Sequence, residues 1–458
     1  MMRIILTLLI VAFSSATFTA TAQSNEECLQ LISIFSEHAK IKNYDAAEES
    51  FKKLRANCPG YHFVLYQYGE KLMKHRIENA ADDKKKAAID DLAKFYEEKK
   101  TNFPEKTKVG DDLSDIAYLY HSNNIGTLSE EYAAYGRAWE TDAETFNNAK
   151  YLYDYFIAAL ELNEEGGLEL QEIFDLYDQL QDKITDQQNY FAKRLSDLIK
   201  KEEDGETLTA QEKRVVQVAE PNLKALSQVS GFIDSKLSNV ADCDRLVPFY
   251  EEDFEEEKGN VEWVKRAAGR LLNKECKDAP LFVKLVEQLN TLEPSAESSF
   301  YLGQLAEKRG ELAKALKYYE ESVERQDDPA KKAKVLYSLG QQYQAKGQYS
   351  TARKYYLEAV ELQPSYARVY LQIAEMYAQS ANTCGDTEFN KRAVYWKAAE
   401  MASRAGRINP SLAGAAKKAA DYYNQLAPSR TMIFEAGNAG TRVSIPCWVG
   451  GSVTVPNL

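Results

Sequence analysis

The sequence predicts an all-α fold: a solenoid of helical hairpins, with a long central antiparallel helical hairpin and a short C-terminal β-hairpin. Three observations carry that expectation. Between residues 296 and 410, apolar and small residues return at 3–4 spacing in paired runs. Between 170 and 240 the apolar spacing becomes heptad-like. From Ser444 to Pro456, small, apolar and β-branched residues alternate around Gly450-Gly451, the pattern of two short strands.

The paired runs are clearest around Gly347. Leu336, Leu339, Gly340 and Tyr343 precede it; Tyr349, Ala352, Tyr356 and Ala359 follow, and Pro364 ends the second run. Two amphipathic helices joined by a tight turn satisfy this spacing. Gly340 and Ala352 are small where the two helices must approach closely. This unit, Ala333 to Tyr366, resembles the tetratricopeptide repeat (TPR), whose period is about 34 residues. The unit before it, from about Ala296, supplies Leu302, Gly303, Gly310, Ala315 and Tyr319. The unit after it supplies Tyr370, Ile373, Ala374 and Tyr377, then Ala398, Ala405 and Pro410 beyond an insertion that holds Cys384. Three consecutive matches imply a TPR-like solenoid.

Looser units extend the pattern. Leu31, Ile34, Phe35, Tyr44, Ala47, Phe51, Leu54 and Pro59 repeat the spacing near the start. The next unit, from His62, is expanded by the charged stretch NAADDKKKAAIDD before Phe95 and Tyr96. Further helix pairs are expected within 112–160 and from Asp244 to Leu272.

The middle reads differently. Leu170, Ile173, Tyr177, Leu180 and Ile184 alternate steps of 3 and 4, as do Val216, Ala219, Leu223 and Leu226. Gly205 breaks the run, and Thr209 with Glu212 makes a capping box. The reading is a long hairpin with arms of roughly 45–50 Å, kinked or started late by Pro221; a pair of shorter repeat helices is the alternative. The expected organisation is therefore a signal at 1–22, repeats at 23–165, the long hairpin at 166–241, a repeat array with capping helix at 242–427, and a tail at 428–458.

The chain has 458 residues and a formal charge of −13, with 70 acidic against 57 basic residues. Binding to nucleic acid needs a basic footprint that is missing here, so no nucleic-acid partner is expected. At the N-terminus, Arg3 precedes an apolar run from Ile4 to Phe13, and Ala20-Thr21-Ala22 follows. That is the pattern of a secretory signal cleaved near Ala22; a buried first helix is the alternative. The run is shorter than the roughly 20 residues that span a bilayer, and no later segment is apolar enough. No cysteine stands at the cleavage site to carry a lipid. The expectation is a soluble exported protein, periplasmic or secreted, similar to exported repeat proteins of Gram-negative bacteria of the Bacteroidota type.

All six cysteines, Cys28, Cys58, Cys243, Cys276, Cys384 and Cys447, lie beyond that signal. An even number in an exported chain suggests disulfides, with free buried thiols as the alternative. In a helical hairpin the start of the first helix and the end of the second lie side by side. Cys28 with Cys58, and Cys243 with Cys276, stand at those two places. Cys384 and Cys447 remain for each other. Their bond would fold the terminal hairpin over the last repeat as part of its cap; the alternative is a free edge that pairs with a partner's strand.

No catalytic constellation is visible, and no cofactor or metal is expected. The cluster GDDLSD at 110–115 reads as a solvated helix start before it reads as a calcium site. The stretch EEDFEEEKG at 251–259 reads as an exposed helix face. The TPR resemblance implies a protein partner held on the concave face. Carried over position by position, that face comprises Phe300, Gln304, Glu307, Lys334, Tyr337, Gln341, Arg368, Leu371 and Glu375. Tyr337→Ala with Arg368→Glu should weaken partner capture while leaving melting nearly unchanged. Tyr337 and Gln341 stand where a carboxylate clamp needs Lys and Asn, which argues against capture of a C-terminal carboxylate. The expected function is a non-enzymatic exported scaffold; the alternative is an accessory subunit of an outer-membrane assembly or secretion machine. The sequence leaves the oligomeric state open.

Overall fold

A computed structural model describes residues 25–458, with backbone alone at 239 and 240. The signal read at 1–22 lies outside these residues. The fold is all-α, a TPR-like stacking of helical hairpins, with one two-stranded sheet near the C-terminus. The chain forms two compact units, one running to Tyr177 and the other Asp178–Leu458.

The first unit begins with α1 (25–40) and α2 (Tyr44–Asn57). It continues through α3 (Val64–Asn79) and α4 (Asp82–Asn102), then α5 (Val109–Ser122), α6 (Leu128–Asp142) and α7 (Ala149–Glu164). Cys28 and Cys58 are disulfide-bonded and join the start of α1 to the end of α2. Phe35, Phe51, Leu54, Leu65, Tyr66 and Phe95 fill the core of α1–α4. Gly69 is needed there, because a Cβ would come within 2.5–2.7 Å of the Phe95 and Phe51 rings. The charged stretch read as an expansion of this unit supplies the first turns of α4, which starts at Asp82. The pair expected within 112–160 is a set of three helices, α5 to α7.

Two long helices follow: α8 (Leu170–Glu203), the later part of which lies in the second unit, and α9 (Ala210–Val240). Gln181 Nε2 donates to Asp234 Oδ1 at 2.9 Å and Gln188 Nε2 to Ser227 Oγ at 3.3 Å, while Lys201 meets Glu212 at 2.8 Å. These pairs run in opposite senses along the two helices, so they are antiparallel. The Thr209/Glu212 capping box is present, and α9 begins there and passes through Pro221 without a break. The two helices do not stand away from the array. Ala192, Leu195, Ile199, Ala219 and Leu223 share one buried cluster with residues 352–455. Asp178 pairs with Arg270 at 3.2 Å, Asn189 Oδ1 accepts from the Ser365 amide, and Glu202 and Glu203 pair with Arg407 and Arg404. α8 is thus tied to the array at successive points along its length.

The array comprises α10 (Cys243–Glu257), α11 (Val261–Asn273), α12 (Pro280–Leu292), α13 (Ala296–Lys308), α14 (Leu312–Arg325), α15 (Pro329–Ala345), α16 (Tyr349–Leu362), α17 (Arg368–Ser380), α18 (Glu388–Ile408) and α19 (Ala413–Leu426). Cys243 and Cys276 are bonded across α10 and α11. α12 has no counterpart in the sequence reading. Its presence makes α11 the first helix of a further repeat, and Gly269 then corresponds to Gly303, Gly340 and Ala374 in α13, α15 and α17. At Gly303 a Cβ would meet the Tyr319 ring at 2.5 Å, and at Gly340 the Tyr356 ring at the same distance. The hairpins α13–α14 and α15–α16 are each closed by a tyrosine of the second helix lying on bare backbone of the first.

The tail adds α20 (Arg430–Ala436), then β1 (Arg442–Ser444) and β2 (Ser452–Thr454), antiparallel with Val443 opposite Val453. The strands pair from Arg442, earlier than expected, because residues 445–451 form the connection rather than a strand and a tight turn. Cys447 is bonded to Cys384. Trp448 donates from Nε1 to Ser380 Oγ at 2.9 Å and lies beside the Tyr349 and Tyr377 rings. Arg353 donates to the Val449 carbonyl at 2.7 Å, and Val453 and Val455 are buried. The tail packs as a cap on the last repeats.

Replacing Cys447 with serine opens a loop of 63 residues, a loss of up to about 4 kcal/mol in the chain-entropy account. Thermal unfolding should come earlier, limited proteolysis should cut beyond residue 426 more readily, and one thiol should become reactive on unfolding. An unchanged melting temperature and digest would mean that Trp448 and the valines hold the cap unaided.

Candidate functional site

The first helices of successive hairpins line one side of the array. A cavity of about 700 Å³ opens there. Seven of the nine groove residues read from the sequence meet in it: Phe300, Gln304, Glu307, Lys334, Tyr337, Gln341 and Arg368. Leu371 and Glu375 are elsewhere. Leu371 packs half-buried on the core shared with the tail, and Glu375 accepts from Gln379 Nε2 at 3.1 Å.

The closing tyrosines organise the polar floor. Tyr319 is fully buried, yet its hydroxyl reaches the cavity side of α13, accepting from Gln304 Nε2 at 2.7 Å and donating to Glu307 Oε2 at 2.6 Å. Burial and the neighbouring Glu307 push its phenol far up. Tyr356 makes the corresponding bond one repeat on, donating to Gln344 Oε1 at 2.7 Å. Gln304 and Glu307 are therefore held in place before any ligand arrives.

The aromatic positions carry more of the packing than expected. Phe300 is 7% exposed. Tyr337 is half-buried, with its ring centroid 5.6 Å from that of Tyr356 and 5.9 Å from that of Tyr366. Burial raises the Tyr337 phenol, partly offset by the charge of Arg368, and burial pushes Tyr366 up to about 12. The packing at Tyr337 runs against the expectation that its replacement leaves melting nearly unchanged, because its ring fills space beside Tyr356 and Tyr366.

The charges are unevenly matched. Lys277 pairs with Glu275 at 2.9 Å. Lys334 donates to the neutral Asn273 Oδ1 at 3.0 Å, and its ammonium lies 5.6 Å from the Phe300 ring centroid. Much of the Lys334 side chain stays accessible, but protein crowds its charged end, and that loss of water holds its pKa below the ordinary lysine value, against a weaker pull from Glu275. Arg368 is exposed on the same wall. Two cations thus flank Tyr337, neither with a carboxylate in ion-pair contact among the described residues.

Several lining residues escaped the sequence reading. Leu272, Asn273, Glu275 and Lys277 come from α11 and the loop after it. The signal for them was available: Gly269 stands 34 residues before Gly303, one TPR period. Asn409, Ser411 and Leu412 come from the turn between α18 and α19, and no local pattern marks them.

Among the described residues, no group of His, Cys, Asp and Glu is arranged to hold a metal ion, and no helix is long and apolar enough to cross a membrane. The face at 251–259 is exposed apart from Phe254, with Glu257 half-buried. The cluster at 110–115 is not a solvated helix start, because Asp112 and Asp115 are 8% and 7% exposed and lie in an ionic network.

Residues 293–365 match the family model described as tetratricopeptide repeat. The match begins just before α13 and ends past α16, on the hairpins that build the floor of the cavity. Similar solved structures include a MamA protein, 18% identical over 40% of this chain and 90% of that one, with a TM-score of 0.30. The APC/C hetero-tetramer Cut9–Hcn1 is 13% identical over 84% and 74% of the two chains, with a TM-score of 0.33. Yeast Tom70 is 16% identical over 90% and 83%, with a TM-score of 0.28. No curated protein sequence matches the chain.

The burial pattern separates two kinds of groove residue, and alanine substitutions should distinguish them. Tyr337→Ala removes a half-buried ring and should cost roughly 2 kcal/mol. Gln341→Ala, at an exposed position, should stay within about 0.5 kcal/mol of the parent. Urea unfolding of the two variants checks this; equal midpoints would contradict the packing role of Tyr337.

Proposed function

We propose that this chain is a non-enzymatic exported scaffold that holds a segment of a partner protein in the groove of the second unit. The segment is acidic, and Lys334 and Arg368 are its main contacts. The observation that carries this reading is the pair of cations flanking Tyr337 on a wall whose acids are already engaged: Glu275 with Lys277, and Glu307 with Tyr319. A partner carboxylate would give the water-poor Lys334 ammonium the counter-charge that Asn273 does not supply. A polar floor fixed in advance and a nearby aromatic ring suit recognition of a peptide, since rigid positions lose little entropy on binding.

Export is supported by the N-terminal pattern and by the pairing of all six cysteines, which suits an oxidising compartment. The groove residues and the division into repeats, long hairpin and capped array belong to the same reading.

Lys334→Glu with Arg368→Glu tests it. Capture of partner from cell-envelope extract, followed by mass spectrometry, should fall at least tenfold, with the circular dichroism spectrum and melting temperature close to the parent. Buried hydrogen-bonded charges at interfaces commonly cost 2–5 kcal/mol on loss. Undiminished capture by the double variant would remove the groove from the account. Mature protein beginning near Gln23 should appear in the osmotic-shock fraction; intact protein confined to the cytosol would contradict export.

A further inference from the structure

We propose that Lys99 and Asp112 form a proton-operated latch between α4 and α5 in the first unit, which holds those helices together more firmly as the surroundings become mildly acidic.

The pair joins the last turn of α4 to the first turn of α5. Lys99 is 7% and Asp112 is 8% exposed. Lys99 Nζ donates to Asp112 Oδ1 at 2.5 Å and lies 4.5 Å from the Tyr96 ring centroid. The other carboxylate oxygen, Oδ2, is sealed from water and has no hydrogen-bond partner. A structural ion pair would be expected to satisfy both oxygens, because a bare buried carboxylate oxygen is costly. Asp115, one turn on, shows the contrast. It accepts from Tyr96 Oη and Tyr151 Oη, each at 2.8 Å, and pairs with Lys74 at 2.9 Å. Asp112 Oδ2 is the place in this network where a proton relieves a cost.

The surrounding charges act in the same direction. α3 contributes Glu70 and Lys74, which pair with each other at 2.9 Å. α4 contributes Tyr96 and Lys99, and α5 contributes Asp111, Asp112 and Asp115. Tyr151 faces in from α7, with Asn147 and Asn148 just before that helix. Lys106 and Lys108 stand on the exposed rim, Lys108 at 3.9 Å from Asp111. Glu70, Asp112 and Asp115 therefore share the two inner lysines, Lys74 and Lys99, with Asp111 beside them on the rim. Asp112 also borders two cavities, of about 570 and 620 Å³, so water can deliver a proton close to it. Burial, opposed by Lys99 and reinforced by Glu70 and Asp111, pushes its carboxyl up to about 6.

The sign follows from linkage. A carboxyl whose folded pKa lies above its unfolded value adds stability that is complete below the unfolded pKa and is lost as pH rises through the folded one. With a folded value of about 6, opening of α4 from α5 should be about tenfold rarer at pH 5 than at pH 7.

Hydrogen exchange of the full-length chain, corrected for intrinsic exchange rates, reads this on peptides covering residues 99–120. The parent should show the tenfold gain in protection on acidification, and Asp112→Asn should show none. A flat parent profile, or the same slope in Asp112→Asn, overturns the proposal. Should Asp112→Asn fail to fold, Lys99→Met carries the test. Removing the cation that favours ionised Asp112 should move the midpoint of the parent's profile to higher pH, and an unmoved midpoint overturns the proposal equally.

Discussion

A tyrosine ring lying on glycine backbone is the contact from which the second unit is built. Tyr319 covers Gly303 and Tyr356 covers Gly340, each where even a methyl group would collide at 2.5 Å. Glycine in a helix costs roughly 1 kcal/mol against alanine, so the position is used only because the ring must come that close. The close approach fixes how the two helices of each hairpin cross. It also brings each tyrosine hydroxyl to the first helix, where it needs polar partners. Gln304, Glu307 and Gln344 supply them. The packing requirement thus fixes Gln304 and Glu307 of the cavity lining.

A stack built this way leaves an apolar face at its end. The C-terminal tail resolves that through different chemistries at one place: a disulfide at Cys384, a hydrogen bond from Trp448 to Ser380, and a guanidinium from Arg353 to the Val449 carbonyl. α8 and α9 cover other apolar surface of the array, with Ala192, Leu195 and Leu223 in the common core. A cysteine in the terminal hairpin therefore belongs to the cap.

What the sequence revealed follows the length scale of each interaction. Helix existence and the Gly347 and Thr209 boundaries were legible because 3.6-residue spacing and capping are local. The partners of two disulfides followed from hairpin geometry, and Cys384 with Cys447 followed by elimination. α12 was missed because its apolar run, Leu281 to Leu289, lacks the glycine and tyrosine landmarks of the better units. The buried state of Asp112 and Asp115 was illegible, since an acidic stretch at a helix start looks the same in water or opposite a lysine from another helix. Tyr337 was read as a surface residue because repeat position alone does not say how far neighbouring hairpins close over a ring. Leu371 and Glu375 fall outside the cavity for a related reason: the tail and α8–α9 pack around that end of the array, and those approaches are long-range.

The central claim is that the side of the array where the cavity opens is where a partner binds. Site-specific photo-crosslinking in the producing cell tests it most directly, with a photoreactive residue placed at exposed Gln341 on the groove or at exposed Lys354 on α16. The account predicts a discrete adduct of higher mass from position 341 and none from position 354. A specific adduct from 354 with none from 341 would contradict it.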